Sequence, residues 1–226
     1  MRFWNVLKFN IKQQYSYGFY LLYLFLAAVY SLIIFLLPQS WKTMAIAIII
    51  FFDPAAVGLF FMGGILLLEK SQRLPGAIAV SPIRAWEYVA ANITAMTIVS
   101  LIACLIIGTI GGTPSMGRLL LGTVLNGILF TMIGIAIATV IVDLNQFVLA
   151  NVPIMLILQF VPIFYLLNPD KTVLKVFPTA AVLDMMRGMA PSPVAVTFLV
   201  ALIVAAAVVS VKAIQRLWRR AGGAKA

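Results

Sequence analysis

Six apolar runs, each about the length a helix needs to cross a bilayer, follow one another along this chain with only short polar connections between them. A helix rising 1.5 Å per residue needs roughly 20 apolar residues to span the hydrocarbon core, and the six runs fall at 18–37, 44–68, 88–110, 119–142, 146–167 and 194–211. In 226 residues that leaves no length for a second soluble domain, so residues 1–226 are read as one transmembrane domain. Composition agrees: 64% of the residues are hydrophobic and 10% charged, against roughly 25% charged in a soluble domain. The expected fold class is an all-α integral membrane protein.

The first sixteen residues, MRFWNVLKFNIKQQYS, differ from the runs. Phe3, Trp4, Leu7 and Ile11 recur at helical spacing with Arg2, Lys8 and Lys12 between them, the pattern of a helix lying in the membrane interface. The run that follows, Tyr20 to Leu37, is longer than a signal-peptide core and has no small-residue cleavage site, so it is read as the first span.

Basic residues set the orientation. Arg2, Lys8, Lys12, Lys70, Arg73, Arg84, Lys212, Arg216, Arg219, Arg220 and Lys225 fall on one side; Lys42, Arg118, Lys171, Lys175 and Arg187 fall on the other. The richer side is expected in the cytoplasm with both termini, in a bacterial plasma membrane, and the tail after Val211 is expected to anchor the last span to anionic lipid. Between the fifth and sixth spans, Val173, Val176, Phe177, Ala181 and Met185 recur at near-helical intervals, which fits an external hairpin re-entering the bilayer.

Several kinds of chemistry are excluded. With no histidine and the single Cys104 inside an apolar run, neither a zinc site nor an intrachain disulfide has partners, so no metal site is expected. No catalytic residue is identified, because serine-nucleophile motifs and clustered acids are missing. The net charge of +10 is spread between apolar runs instead of forming a stripe, which argues against nucleic acid. No phosphate-binding G-x-x-x-x-G-K-[ST] loop occurs, so this chain is expected to bind no cofactor.

The loop between the second and third spans, EKSQRLPGAIAVSPIRAWEY at 69–88, carries a short apolar stretch that solubility alone would not require. Held between two long helices, such an element suits docking into a groove on a partner. Ser81 and Pro82 are expected to cap and open the helix leading into the third span.

That loop, the stretch DPAAVGLFFMGGILLLEK at 53–70, and the plan of one interfacial helix plus six spans resemble the permease subunits of type-2 ABC exporters, and among them the small drug or fluoroquinolone export permeases. The resemblance implies that Leu74 to Val80, with Ala77 and Ile78, form a coupling helix ending at Ser81 and Pro82, and that Glu69 contacts the motor. It also implies two copies of an ATP-binding subunit carrying ATP and magnesium, and a second permease subunit. Family members often show Gly-Thr-Leu-Glu where this chain has Arg73, Leu74, Pro75 and Gly76, so the coupling helix is expected to be shorter or to begin later. The alternative is a stand-alone secondary transporter or channel, which would call for relay groups near the midplane.

Asp53, inside the second run and followed by Pro54, is either a gate or cavity residue or a structural carboxyl at a bent helix. Asn126, Asn151 and Gln159, with the proline-broken fifth run, are the other candidates for a translocation pathway, interhelical hydrogen bonds being the plainer account. Gly58, Gly63, Gly64, Gly127, Gly134 and Ala138 are expected to allow close helix packing. Trp4, Trp41, Trp86 and Trp218 are read as an interfacial belt.

Overall fold

The computed structural model describes residues 2–168 and 172–222. Lys171 and Lys225 therefore lie outside the described residues. All regular structure among these residues is helical, and six helices are long and apolar enough to cross a membrane. The chain is a multi-pass membrane protein.

An amphipathic helix, α1 (Arg2–Ser16), precedes the first span, α2 (Phe19–Leu36), and Gly18 turns the chain between them in the left-handed conformation at φ 74°. The second span runs from Gln39 to Ser71, as α3 (Gln39–Ala56), a π-helical turn at Val57–Phe61 and α4 (Met62–Ser71). It starts five residues earlier than hydropathy alone indicated, because Pro38 ends the connection and the polar residues Gln39 to Thr43 form the first turn of the same helix. After the short helix α5 (Leu74–Ala79) come the third span, α6 (Ala85–Ile110), and the fourth, α7 (Met116–Val140). The fifth span joins α8 (Leu144–Met155), a second π turn at Leu156–Phe160 and α9 (Val161–Leu167). Two short helices follow, α10 (Thr172–Lys175) and α11 (Pro178–Met186), and α12 (Pro193–Gly222) forms the sixth span.

The fourth span is the hub. It packs against α3, the first π turn, α4, α6, α11 and α12, and its Leu129, Phe130, Ile135 and Ala138 are wholly buried. In lipid there is little hydrophobic drive to bring helices together, so close packing must come from shape. Gly134 supplies it: a Cβ there would stand 2.6 Å from the carbonyl oxygen of Gly58 and 2.7 Å from that of Leu59. Gly58 answers from the other side, where a Cβ would meet the Thr131 nitrogen at 2.6 Å. Gly63 seats the ring of Phe147. Gly64 faces open space and Gly127 has only ordinary contact, so two of the six expected small-residue positions are not points of close approach.

The last helix is longer than its apolar run. α12 does not stop near Val211 but continues as one helix to Gly222, with Ile214 wholly buried and Leu217 and Trp218 packed on the same cluster as Val6, Leu7 and Tyr88. Trp218 makes an edge contact with Tyr88 at 5.6 Å between ring centroids, so it is a packing residue, whereas Trp4, Trp41 and Trp86 are more than half exposed. The helix persists because its apolar positions there have a protein surface, α5 and α6, to cover.

At the opposite end, α11 is buried along its length between α7 and α12. Thr179 donates to the carbonyl of Leu158 at 2.6 Å, and Arg118 donates to the carbonyl of Gly188. Burial lifts the Asp184 carboxyl above its ordinary range, against the opposing pull of Arg187 at 3.8 Å.

Candidate functional site

The face of α5 and a cleft beside Asp53 each combine exposed apolar surface with polar groups.

α5 covers Leu74–Ala79, with Val80 as its C-cap residue. It begins where Leu74 stands, not later: Arg73 takes a left-handed conformation at φ 58° that ends the second span, and Pro75 falls in the first turn, where an N–H would have no intrahelical partner in any case. Gly76 is used for close approach, since a Cβ there would lie 3.4 Å from the carbonyl oxygen of Ala221. Pro75 is buried and Leu74 and Ile78 are half-buried, while Ala77 is exposed and Val80 is 79% exposed. The helix therefore turns its back to α4 and α12 and offers Ala77 and Val80 outward, between the exposed side chains of Arg73 and Arg84.

Ser81 closes α5 and does not open α6. Its backbone N–H and its hydroxyl both donate to the carbonyl of Ile78, at 3.0 and 2.6 Å. The third span instead begins after Arg84, whose N–H donates to the Glu87 carboxylate at 2.8 Å. The carbonyl of Pro82 accepts from the Arg2 guanidinium at 2.9 Å, which ties the loop to α1.

Glu69, expected at the surface, is 1% exposed and accepts from the hydroxyl of Tyr88 at 2.5 Å. The chain of polar contacts continues inward: the Asn92 amide donates to the Tyr88 carbonyl at 3.0 Å, and the Asn10 amide donates to Asn92 Oδ1 at 2.9 Å. Three elements, α1, α4 and α6, are thus joined by one buried network directly behind α5. Lys70 is not paired with Glu69; its ammonium donates to the carbonyls of Ala138 and Thr139 at 3.1 and 3.3 Å and to that of Ile141, completing the free end of α7. Neither Tyr88 nor the Asn10–Asn92 pair stood out in the sequence, because each looks like an ordinary interfacial or helix residue until its partner is known.

The cleft beside Asp53 measures about 280 Å³ and is lined by Tyr23, Leu26 and Tyr30 of the first span and by Ile48, Ile49, Phe52, Asp53, Ala56 and Phe61 of the second. Asp53 is 8% exposed, and among the described residues no Lys or Arg lies within ion-pair distance of it.

Asn126, Asn151 and Gln159 have no exposed surface at all, so in this conformation none of them lines an open space. The Asn126 amide donates at 2.7 Å to the carbonyl of Phe51, in the stretch that Pro54 loosens, and the Asn151 amide donates at 2.9 Å to Phe147 one turn back. The oxygens of both side chains, and both polar atoms of Gln159, have no hydrogen-bond partner. The four pathway candidates are therefore not brought together: Asp53 borders a cleft and the three amides are sealed inside the bundle.

The model of the fluoroquinolones export permease protein family matches residues 1–221. The chain belongs to that family. Two fluoroquinolones export permease proteins of Mycobacterium tuberculosis, from strains CDC 1551 / Oshkosh and ATCC 25618 / H37Rv, are each 33% identical to it over 133 residues. The match covers 56% of this chain and 56% of each relative, so it spans little more than half the length of the curated proteins it resembles. Membership of an export permease family fits the six apolar spans of the chain.

Proposed function

We propose that this chain is the non-catalytic permease subunit of an ATP-driven exporter of amphipathic molecules, and that α5 is the handle by which a separate ATPase moves it. What carries the reading is the placement of α5: Ala77 and Val80 face outward with arginines at their edge, while the back of the helix bears on α4 and α12. An exposed apolar helix face flanked in sequence by arginines is the kind of surface that enters a groove on a partner protein. The chain has no phosphate-binding loop of its own, so nucleotide and magnesium belong to that partner.

In this reading two ATPase copies act on two permease subunits, α1, α5 and the end of α12 face the cytoplasm of a bacterial cell, and the segment from α10 to α11 re-enters the bilayer from outside. The basic residues clustered at the α5 end support that orientation. A push on α5 reaches the second span directly, the third through Glu69 and Tyr88, and the sixth through Gly76 and Ala221. Motion then follows from the ATPase binding two conformations of the permease unequally.

Val80→Asp is the direct test, because Val80 is exposed whereas Ile78 is half-buried and would confound docking with folding. The variant is expected to insert and fold normally, to lose co-purification with the ATPase and to lose ATP-dependent transport. Unchanged co-purification and transport would remove α5 from the role. Transport by this chain alone, without any ATPase, would instead make it a stand-alone transporter.

A further inference from the structure

The cleft beside Asp53 has the makings of a binding site. Its floor on the second span is Ile48, Ile49, Phe52, Asp53 and Ala56, which share one helical face. In a straight α-helix, position 61 would be rotated by about 80° from position 53. The π turn at Val57–Phe61 makes the turn wider and returns Phe61 to the face of Asp53. Opposite stand Tyr23, Leu26 and Tyr30, again one face of a helix.

The result is a carboxylate surrounded by four aromatic side chains with no basic residue among the lining. A carboxylate inside a membrane is costly unless something positive answers it, and aromatic faces attract cations through their ring quadrupoles, more strongly where water is excluded. Every wall of the cleft belongs to the first or second span, so it opens between those two helices. Only 22% of the apolar window of the first span is buried. A further cleft of about 190 Å³ lies on its other side, against α6, and Tyr23 borders both.

We propose that this cleft binds the cationic group of an amphipathic substrate, with the Asp53 carboxylate as counter-ion and Tyr23, Tyr30, Phe52 and Phe61 around the apolar body. This rests on the export reading above and adds to it the charge class of the cargo and the route by which it enters, laterally between the first two spans. Anionic amphiphiles are disfavoured by the same carboxylate.

The test is equilibrium binding of tetraphenylphosphonium to the full chain in phosphatidylcholine nanodiscs, without ATP or partner, with triphenylphosphine oxide as the uncharged comparison. Asp53→Asn is expected to weaken the cation about tenfold and leave the neutral compound unchanged, and Asp53→Glu to keep most of the affinity. Tyr30→Leu, at a half-buried position, is expected to weaken the cation by about threefold, and it decides the matter if Asp53→Asn does not fold. No binding by the wild-type chain, equal binding by Asp53→Asn, or equal loss of both compounds overturns the proposal. Substrate-stimulated ATP hydrolysis by the assembled complex is measured separately, so a failed site and a failed exporter give different results.

Discussion

The second and fifth spans are built on one local plan, and they end up in different mechanical states. In each, a proline (Pro54, Pro153) stands three residues before a five-residue π turn, Val57–Phe61 in one and Leu156–Phe160 in the other. A proline removes one rung of the backbone ladder and crowds the carbonyl a turn behind it, and a wider turn is one way to absorb the misfit. Around the first π turn Val57, Gly58 and Leu59 are buried, backbone to backbone, against the fourth span. Around the second, Leu156 and Ile157 are more than half exposed, and the hydrogen bond from Thr179 to Leu158 joins it to α11. The neighbour, not the proline, decides how deeply such a turn is buried.

The largest effect is expected where the locked turn is wedged apart. Gly134→Ala places a methyl against two main-chain carbonyls that cannot swing away, and it should cost about 3 kcal/mol, the upper end of usual overpacking. Thermal unfolding in detergent reads this, and a melting point equal to wild type would mean that the two spans do not touch as described.

Gly63 and Gly64 sharpen the comparison at the place where the two spans meet. Gly63→Ala pushes on the ring of Phe147 in the fifth span and is expected to cost about 1–2 kcal/mol, recovered in part by adding Phe147→Leu. Gly64→Ala, which meets nothing within 4 Å, should be neutral or slightly stabilising through better helix propensity. Equal effects at the two positions would break the distinction between them.

A change of opposite sign concerns Gln159, in the second π turn. Its amide is buried without a partner, so Gln159→Leu should raise stability by about 1 kcal/mol. If the amide is kept for transport, the same variant loses activity while gaining stability. A fall in stability would show that the amide is hydrogen-bonded after all.

Much of this was legible in the residues alone. The number of spans and the amphipathic helix before them follow from hydropathy and helical spacing, because a bilayer forbids an unpaired backbone and so leaves long apolar runs little choice but helix, whereas the bounds of α5 were implied by the family resemblance. The end of α5 at Ser81 was implied by that resemblance, but the start of the third span at Arg84 was not legible, since two overlapping capping patterns, Ser81-Pro82 and Arg84 with Glu87, compete within four residues. Pro75 and Gly76 are tolerated in α5 for a related reason: a proline in a first turn and a glycine under a neighbouring helix obey position, not average propensity.

Sequence by itself determined what each segment is: six spans, one interfacial helix, and an apolar elbow among arginines. Only the tertiary structure decided what each segment touches. The tail of α12 became a brace for α5, Glu69 turned inward to Tyr88, and Phe61 came round to Asp53. The physical reason is that burial in a membrane is uniform from the chain's point of view. Every apolar residue is equally content against lipid or protein, so shape, small residues and single hydrogen bonds choose the partner, and those are properties of pairs that no stretch of sequence displays alone.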